Sequence, residues 1–465
     1  MTPYARAPFI VIWETTRACA LACVHCRAEA IPQRDTRELT TDEGRALIDA
    51  VARFGNPPPL LVFTGGDPLR RPDLVELVRY ATARGLSASL TPSATGAVTE
   101  ERLRALRDAG LARLAVSLDG ATAEVHDAFR GVRGSHRQTL RILERARELG
   151  IPLQINTTVS RRTVGELPAL VRQVEDSGVA LWALFFLIPV GRAGADQALD
   201  AGAIEEVLEW AAGLTGRVPF AIKMTEAPHF QRVLARHRGT RRAQPAARPD
   251  AVGRAPRAVT DGNGFLFVDH VGNICPSGFL PLPAGNVRAA DLVEVYRNDP
   301  LFRALRDPHT LTGRCGLCEY RDGCGGSRAR AYAASGDPLG EDPGCAWRPG
   351  SMAPAVAGGS DAAVPPLSSP STVAVMPNRT EIDAALESVC DPELGMSVAA
   401  LGLVYDVAIT PGAVRVTMTF TTPGCPLHEV MTEWVRTALA RVAGVEHVEV
   451  TVTFDPPWTP ERMRR

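Results

Sequence analysis

Residues 9–26 read FIVIWETTRACALACVHC, an apolar run with three cysteines in the loop after it. The run from Phe9 to Trp13 is rich in β-branched and aromatic residues, which predicts a buried β-strand. The loop that leaves this strand carries Cys19, Cys23 and Cys26. Three thiolates at this spacing can hold three irons of a cubane cluster and leave the fourth iron open. The alternatives are a zinc site, which His25 can complete, and buried free thiols.

Strand and helix patterns alternate from this first strand as far as Pro189. Five further apolar runs predict strands at residues 60–63, 86–90, 114–118, 153–159 and 181–188. Helical patterns separate them, and Thr40 with Glu43 forms a capping box at the start of the first helix. Alternating strands and helices predict a parallel sheet with right-handed crossovers. Because a full eight-unit barrel usually takes about 250 residues, six units predict an α/β fold with a partial (β/α)6 TIM-like barrel.

Several unusual residues follow the predicted strands, at the end of the sheet where ligands bind in parallel α/β folds. The cysteine loop follows the first strand, Gly65-Gly66-Asp67 follows the second, and residues 117–120 follow the fourth. Two glycines allow a close approach of the backbone to a ligand, and a carboxylate pairs with an ammonium group. The alternative for the glycine pair is an ordinary strand-to-helix turn. This end of the sheet is therefore the predicted binding site.

The cysteine motif after the first strand of a partial barrel resembles the radical S-adenosylmethionine (SAM) superfamily, over about residues 8–190. The resemblance implies a [4Fe–4S] cluster on the three cysteines, with SAM bound at its open iron. It also implies reductive cleavage of SAM to methionine and a 5′-deoxyadenosyl radical that abstracts hydrogen from a substrate. Asp67, where Glu is commoner, is implied to bind the methionyl amino group. The implied SAM contacts are Gly65, Gly66, Asp67, Ser117, Asp119, Arg130 and Asn156, with Thr91 and Ser93 as further candidates.

A second cysteine set lies in the Gly- and Cys-rich residues 261–348. Its members are Cys315, Cys318, Cys324 and Cys345. Four thiolates with a close pair indicate a metal, and zinc is the alternative to a cluster. The region resembles the SPASM extension of radical SAM enzymes, which implies an auxiliary [4Fe–4S] cluster with four protein ligands. Arg328 stands where that pattern has a further cysteine, so one auxiliary cluster is expected. Cys275 is expected to be a buried apolar thiol, and the alternatives are a ligand of a degenerate cluster site or a substrate contact.

Residues 275–281, 285–288 and 324–331 resemble the radical SAM branch that contains the heme synthase of alternative heme biosynthesis and the heme d1 maturase. That resemblance implies a small-molecule tetrapyrrole substrate with propionate side chains. Peptide-modifying enzymes carry the same extension, so a peptide substrate stays open. Arg328, Arg330 and the arginine-rich run 232–257 are candidates to hold carboxylates, because guanidinium binds them bidentately. The alternative is that these arginines form a solvated face or internal ion pairs.

The C-terminal residues 378–465 carry the pattern of a small α+β domain. Residues 390–394, 401–405, 422–426 and 455–458 resemble the metal–sulfur cluster assembly domain of the SufT and PaaD type. The resemblance implies that Cys425 is the functional cysteine, and a helix N-terminus there lowers the pKa of a thiol. Cys390, Asp391 and Glu393 lie in the first of these stretches. The alternative function for the whole chain is an iron–sulfur cluster assembly or carrier protein.

These patterns predict five regions. They are a radical SAM partial barrel at 1–200, a bridging segment at 201–260, a SPASM-like auxiliary cluster domain at 261–348, a flexible linker at 349–377 and an assembly-like domain at 378–465.

The chain has 465 residues and a net charge of −1, which gives no general attraction to nucleic acid or to an anionic membrane. No secretory signal pattern is present at the N-terminus, so a cytoplasmic location is expected. Ten cysteines in a cytosolic protein indicate metal ligands more than disulfides. The expected partners are an electron donor such as flavodoxin or ferredoxin and the iron–sulfur assembly machinery.

Overall fold

The computed structural model describes residues 4–240, 259–350, 378–389, 396–410, 412–421, 428–440, 442, 445–459 and 462–463. The chain divides into two compact units, Met1–Pro370 and Ser371–Arg465. Among the described residues, no helix is both long and apolar enough to cross a membrane.

The first unit is built on one ten-stranded sheet. Its strands are β1 (Ile10–Glu14), β2 (Leu60–Thr64), β3 (Ala88–Leu90), β4 (Arg113–Ser117), β5 (Leu153–Val159), β6 (Leu181–Phe186), β7 (Ala221–Thr225), β8 (Phe265–Val268), β9 (Asn273–Cys275) and β10 (Gly285–Asn286). Their order across the sheet is β10-β9-β8-β1-β2-β3-β4-β5-β6-β7. Strands β1 to β7 are parallel and follow one another in chain order. The predicted α/β class and the six predicted strands are confirmed.

Helices connect the strands and cover the sheet. They are α1 (Thr41–Ala52), α2 (Leu74–Ala83), α3 (Glu100–Asp108), α4 (Ala123–Arg130), α5 (Ser135–Glu148), α6 (Leu167–Asp176), α7 (Ala201–Leu214), α8 (Phe230–Thr240), α9 (Leu292–Asn298), α10 (Pro300–Arg306), α11 (Gly313–Leu317) and α12 (Arg328–Ser335). The capping box of α1 forms as predicted, with Thr40 Oγ1 accepting from the Glu43 amide at 3.2 Å and Glu43 Oε2 accepting from the Thr40 amide at 2.8 Å. The apolar faces of the helices pack on a core that includes the fully buried Trp13 and Trp182.

The sheet continues beyond the six predicted strands at both edges. Residues expected to bridge two domains form α7, β7 and α8, and β7 pairs in parallel with β6. Strand β8 returns to the opposite edge, where Phe265 pairs in parallel with Ile10 of β1. The apolar signal of β7 is weak because an edge strand is only half buried and carries Lys223 and Thr225. The SPASM-like region is therefore joined to the barrel by a continuous sheet.

The second unit is a small α+β domain with its own core. Its elements are α13 (Arg379–Glu387), β11 (Val404–Thr410), β12 (Gly412–Met418), α14 (His428–Leu439) and β13 (Val445–Val452). Strand β12 lies in the middle, antiparallel to β11 and parallel to β13. Buried side chains such as Ile382, Val416 and Leu439 form the core. The predicted α+β domain is confirmed, whereas Cys390, Asp391, Glu393 and Cys425 lie outside the described residues.

Candidate active site

The three cysteines of the N-terminal loop meet at one cavity. An open cavity of about 210 Å³ lies at the C-terminal ends of the parallel strands, and Cys19, Cys23 and Cys26 are on its wall. The loop is held by its backbone, because the Cys19 amide donates to the Ile31 carbonyl at 2.8 Å. The Ala30 amide donates to Cys26 Sγ at 3.4 Å. A single loop thus presents three sulfur ligands to an accessible space, as a cluster with one open iron requires.

The glycine pair after β2 is required by a close approach of two backbone segments. A Cβ at Gly66 would lie 2.5 Å from the Arg17 carbonyl oxygen, and one at Gly65 would approach the Thr16 carbonyl oxygen even more closely. The Gly66 amide donates to that Thr16 oxygen at 2.7 Å. Both glycines also line the cavity. They therefore set the distance between the cysteine loop and the β2 turn, and they leave backbone exposed to a ligand.

Asp67 has a different position from the predicted one. Its side chain is fully buried and is not on the cavity wall. One carboxylate oxygen accepts from the Leu69 amide at 3.2 Å, and the other accepts from Thr95 Oγ1 at 2.9 Å. Burial raises the pKa of Asp67. The carboxylate thus holds the turn after β2 together, and the predicted contact with an amino group does not follow from this geometry.

The other predicted SAM contacts from β3, β4 and β5 lie at the cavity. Ser117 and Asn156 are register partners on neighbouring strands, and both are on its wall. Ser93 Oγ donates to the Gly66 carbonyl at 2.7 Å and lies 3.2 Å from Cys19 Sγ. Thr91 lines an adjoining cavity that shares Ser93 and Ser117. The ends of three strands therefore surround the space next to the cysteines.

Arg130 and Asp119 form a buried ion pair beside this space. Arg130 Nη2 lies 2.5 Å from Asp119 Oδ2, and Arg130 Nη1 lies 3.8 Å from Cys23 Sγ. Asp119 is fully buried, and its other oxygen accepts from the Thr158 amide at 2.7 Å. Although burial opposes ionisation, the Arg130 guanidinium holds the pKa of Asp119 below its usual value. Arg130 lines the cavity and Asp119 does not, so Asp119 positions the arginine and makes no contact with a ligand in the cavity.

His25 is a cavity residue that the sequence indicated only as an alternative zinc ligand. Its ring stacks on Phe129 with 4.0 Å between ring centroids and 11° between the planes. Burial lowers the pKa of His25 to about 3, so the imidazole is neutral at pH 7. His25 lines the cavity, and its position between Cys23 and Cys26 in the sequence was the signal that could have identified it.

The wall of this cavity is rich in arginine. It includes Arg27, Arg130 and Arg192, and none of its lining residues is Asp or Glu. Arg27 Nη2 pairs with Glu14 at 2.8 Å, and its guanidinium lies 4.8 Å from the centroid of the Phe267 ring. Guanidinium groups on the wall favour a ligand that carries carboxylates, because they donate charge-assisted hydrogen bonds. No role was predicted for Arg27. Arg192 lies in residues 189–193, which resemble the sixth-strand signature of a subset of the radical SAM superfamily, but no role was predicted for its side chain. The positions of both side chains depend on loops from distant parts of the chain.

The second cysteine set lines a separate cavity. Its wall carries all four predicted thiols, Cys315, Cys318, Cys324 and Cys345, together with His229, Arg232, Arg314, Arg321 and Trp347. Burial raises the pKa of Cys324, and it raises that of Cys345 to about 11. Such thiols ionise when they bind a metal. In the described part of the chain, no three His, Cys, Asp or Glu side chains are arranged to hold a single metal ion, whereas a cubane cluster takes each thiolate on a different iron.

Arg328 and Arg330 do not face a substrate. Arg328 is 2% exposed and donates to the Pro338 and Gly340 carbonyls at 3.1 and 2.7 Å, with Nη2 3.6 Å from Cys315 Sγ. Arg330 pairs with Asp342 at 3.0 Å. The prediction that these two arginines hold substrate carboxylates is wrong, because buried internal partners occupy both guanidinium groups.

The arginine run 232–257 begins in the same way. Arg232 pairs with Glu205 and lies 5.2 Å from the centroid of the Trp347 ring. Arg236 pairs with Glu209 at 3.2 Å. Residues 241–257 lie outside the described residues. The described part of the run therefore forms internal ion pairs.

Cys275 lies in β9 and is 4% exposed. Burial raises the pKa of its thiol to about 12. It lines neither of the two cysteine cavities, as expected of a buried apolar thiol.

Comparison with family models assigns each unit separately. Residues 13–174 match the model of the radical SAM superfamily. Residues 379–452 match the model described as an iron-sulfur cluster assembly protein.

Characterised relatives match the first unit over most of its length. The chain is 40% identical to the AdoMet-dependent heme synthase of Methanosarcina barkeri over 75% of this chain and 99% of the relative. It is 31% identical to the PqqA peptide cyclase of Rhodopseudomonas palustris over 74% of this chain and 88% of the relative. The fold is also that of SuiB from Streptococcus suis bound to S-adenosylmethionine, with a TM-score of 0.56 and 15% identity over 74% of this chain and 78% of SuiB.

Proposed function

This chain belongs to the radical SAM superfamily and is an enzyme that cleaves SAM reductively at a [4Fe–4S] cluster, and we propose that it is a heme synthase acting on the propionate side chains of a porphyrin precursor. The observation that carries the proposal is the arginine-rich wall of the cysteine cavity, which has three guanidinium groups and no carboxylate. A porphyrin precursor presents several carboxylates on a flat apolar macrocycle. The 40% identity to a heme synthase over 99% of its length supports the same substrate class.

The residues that would hold the cofactors follow from the walls of the two cavities. We place the SAM-binding cluster on Cys19, Cys23 and Cys26. Gly65, Gly66, Ser117, Arg130 and Asn156 are placed around SAM, because these residues line the space next to the thiols. When bound, the cluster supplies the electron that cleaves SAM into methionine and a 5′-deoxyadenosyl radical. The four cysteines of the second cavity are placed around an auxiliary [4Fe–4S] cluster, with all four ligands from the protein.

When a propionate is converted to a vinyl group, the side chain loses a hydrogen atom, carbon dioxide and one electron. One hydrogen atom passes to the 5′-deoxyadenosyl radical, carbon dioxide leaves, and one electron must be accepted elsewhere. An auxiliary cluster held by Cys315, Cys318, Cys324 and Cys345 would supply an acceptor for this electron. Its cavity wall carries the guanidinium groups of Arg232, Arg314 and Arg321 and one acid, Asp342, which is paired with Arg330. The excess of positive charge favours the more negative, reduced state of a bound cluster.

The second unit is proposed to supply or protect clusters for the first, through Cys425. Tethering of two domains raises their effective concentration for each other. A flavodoxin or ferredoxin is the proposed electron donor, and the wider iron–sulfur assembly machinery is a proposed partner. An assembly or carrier protein with an inactive barrel is the competing function, and a carrier has no need of the glycine turn and the strand-end residues that line the SAM space.

The test uses the full chain, purified without oxygen and reconstituted with iron and sulfide. SAM, dithionite and an iron coproporphyrin deuterated on its propionates are added, and 5′-deoxyadenosine is measured by mass spectrometry. Deuterium in 5′-deoxyadenosine together with release of carbon dioxide is the expected result. The Cys26→Ala variant should form no 5′-deoxyadenosine. The control is Cys275→Ala, which removes a thiol that lines neither cavity, and this variant should still form the product.

Three outcomes would refute the proposal in different ways. Formation of 5′-deoxyadenosine without deuterium would exclude the porphyrin as the substrate and would leave the assignment of radical SAM chemistry intact. Deuterium transfer from a labelled precursor peptide, and not from the porphyrin, would favour a peptide-modifying enzyme like the PqqA cyclase relative. Absence of SAM cleavage by a protein that holds its clusters would favour the assembly function.

A further inference from the structure

We propose that Arg192 binds a carboxylate of the substrate at the mouth of the active-site cavity, an inference that rests on the proposed porphyrin substrate. Arg192 follows β6 and lines the cavity together with the apolar side chains of Leu187, Ile188 and Phe279. A guanidinium group beside an apolar wall matches a flat macrocycle that carries charged side chains.

The backbone at Arg192 is fixed directly over the cysteine loop. Gly191 has a φ of +65°, and a Cβ there would lie 2.5 Å from the carbonyl oxygens of Cys26 and Arg27. The Arg192 amide donates to the Cys26 carbonyl at 3.1 Å. The side chain of Arg192 therefore starts from a rigid point next to a proposed cluster ligand, which preorganises it for binding.

The guanidinium of Arg192 differs from the other two in the cavity. Arg27 is paired with Glu14, and Arg130 is paired with Asp119. Arg192 is exposed and forms no ion pair or side-chain hydrogen bond within the described ranges. Its five N–H donors are thus open to a ligand, whereas those of Arg27 and Arg130 are partly used.

The positions of the arginines divide two ligand carboxylates between them, one on SAM and one on the substrate. Arg130 is largely buried, with 13% of its side chain exposed, and lies 3.8 Å from Cys23 Sγ, so it is placed for the carboxylate of SAM. Arg192 is an exposed residue of the same wall, so its guanidinium is accessible to a larger ligand that extends beyond SAM. We therefore assign Arg192 to the substrate as a specificity-determining residue.

The experiment measures binding to the reconstituted, SAM-loaded full chain. Titration with iron coproporphyrin, followed by its absorbance, gives one Kd, and the uncharged tetramethyl ester of the same porphyrin gives another. Arg192→Gln should weaken binding of the free acid about 10- to 100-fold, the range for a hydrogen bond to a charged group. Binding of the ester should change much less. The Kd of Arg192→Lys for the free acid should lie between those of the wild type and Arg192→Gln, because lysine keeps the charge and loses the bidentate geometry.

The matched control is Arg79→Gln, which removes an exposed arginine on α2 that is not on the cavity wall. It should bind the porphyrin as the wild type does. Equal affinities of the wild type and Arg192→Gln for the free acid would overturn the inference and leave the proposed function intact. A loss of SAM affinity in Arg192→Gln with porphyrin affinity retained would also overturn it. A wild-type protein that does not bind the porphyrin would overturn the proposed function and this inference together.

Discussion

Replacement of Gly191 by alanine tests how closely the loop after β6 must lie against the cysteine loop. A φ of +65° costs an L-residue about 1–2 kcal/mol. The added Cβ would also lie 2.5 Å from two backbone carbonyl oxygens, which cannot move as a flexible side chain does. Such overpacking costs about 1–3 kcal/mol. The expected loss in stability is therefore about 2–5 kcal/mol.

Gly150 provides a matched control for the cost of placing alanine in the left-handed backbone conformation. It has a φ of +69°, and a Cβ there would meet nothing within 4 Å. Gly150→Ala should therefore lose only about 1–2 kcal/mol. The difference of about 1–3 kcal/mol between the two variants isolates the contact with the cysteine loop.

The first assay is native-state hydrogen exchange of the metal-free protein, measured on peptides from the first unit. The second assay is the iron content of the protein after reconstitution. Gly191→Ala should lower the opening free energy of the cysteine loop and should hold less iron at that loop than Gly150→Ala. Equal losses in the two variants would refute the close approach, because the two positions share the same backbone conformation. Normal iron content in Gly191→Ala would refute the link between this contact and the shape of the cluster site.

Three further predictions concern other parts of the molecule. Cys324→Ser should lower the iron content by up to about four atoms per chain, and Cys275→Ser should not, as measured on the reconstituted protein. Arg232→Gln should make the reduction potential of the auxiliary cluster more negative in an EPR-monitored titration, because it removes a buried positive charge; an unchanged potential would contradict this. Burial lowers the pKa of His126 to about 4, and its Nδ1 accepts from the Asp119 amide at 3.1 Å. The stability that neutral His126 supports is present above pH 6.5 and is lost as the pH falls, so between pH 7 and pH 5 the wild type should lose about 2 kcal/mol more than His126→Gln in urea unfolding.

The sequence by itself determined the features that depend on neighbouring residues. Periodic apolar runs identified the first six strands of the parallel sheet, and Thr40 with Glu43 marked the start of α1. The spacing of the N-terminal cysteines indicated a cluster, because all three ligands come from one short loop. The α+β pattern of the second unit was readable for the same reason, since each helix and strand there has its own local periodicity.

Only the tertiary structure decided which polar side chains face the cavity. Asp67 and Asp119 follow strands at the ligand-binding end of the sheet, yet burial and internal hydrogen bonds turn both carboxylates away from the cavity. The guanidinium of Arg330 likewise forms an internal ion pair, with Asp342. Arg192 stays open because no acid among the described residues reaches it. The sequence records which groups are present, but the partner of a charged group is set by segments far apart in the chain, and that partner decides whether the group is free to bind a ligand.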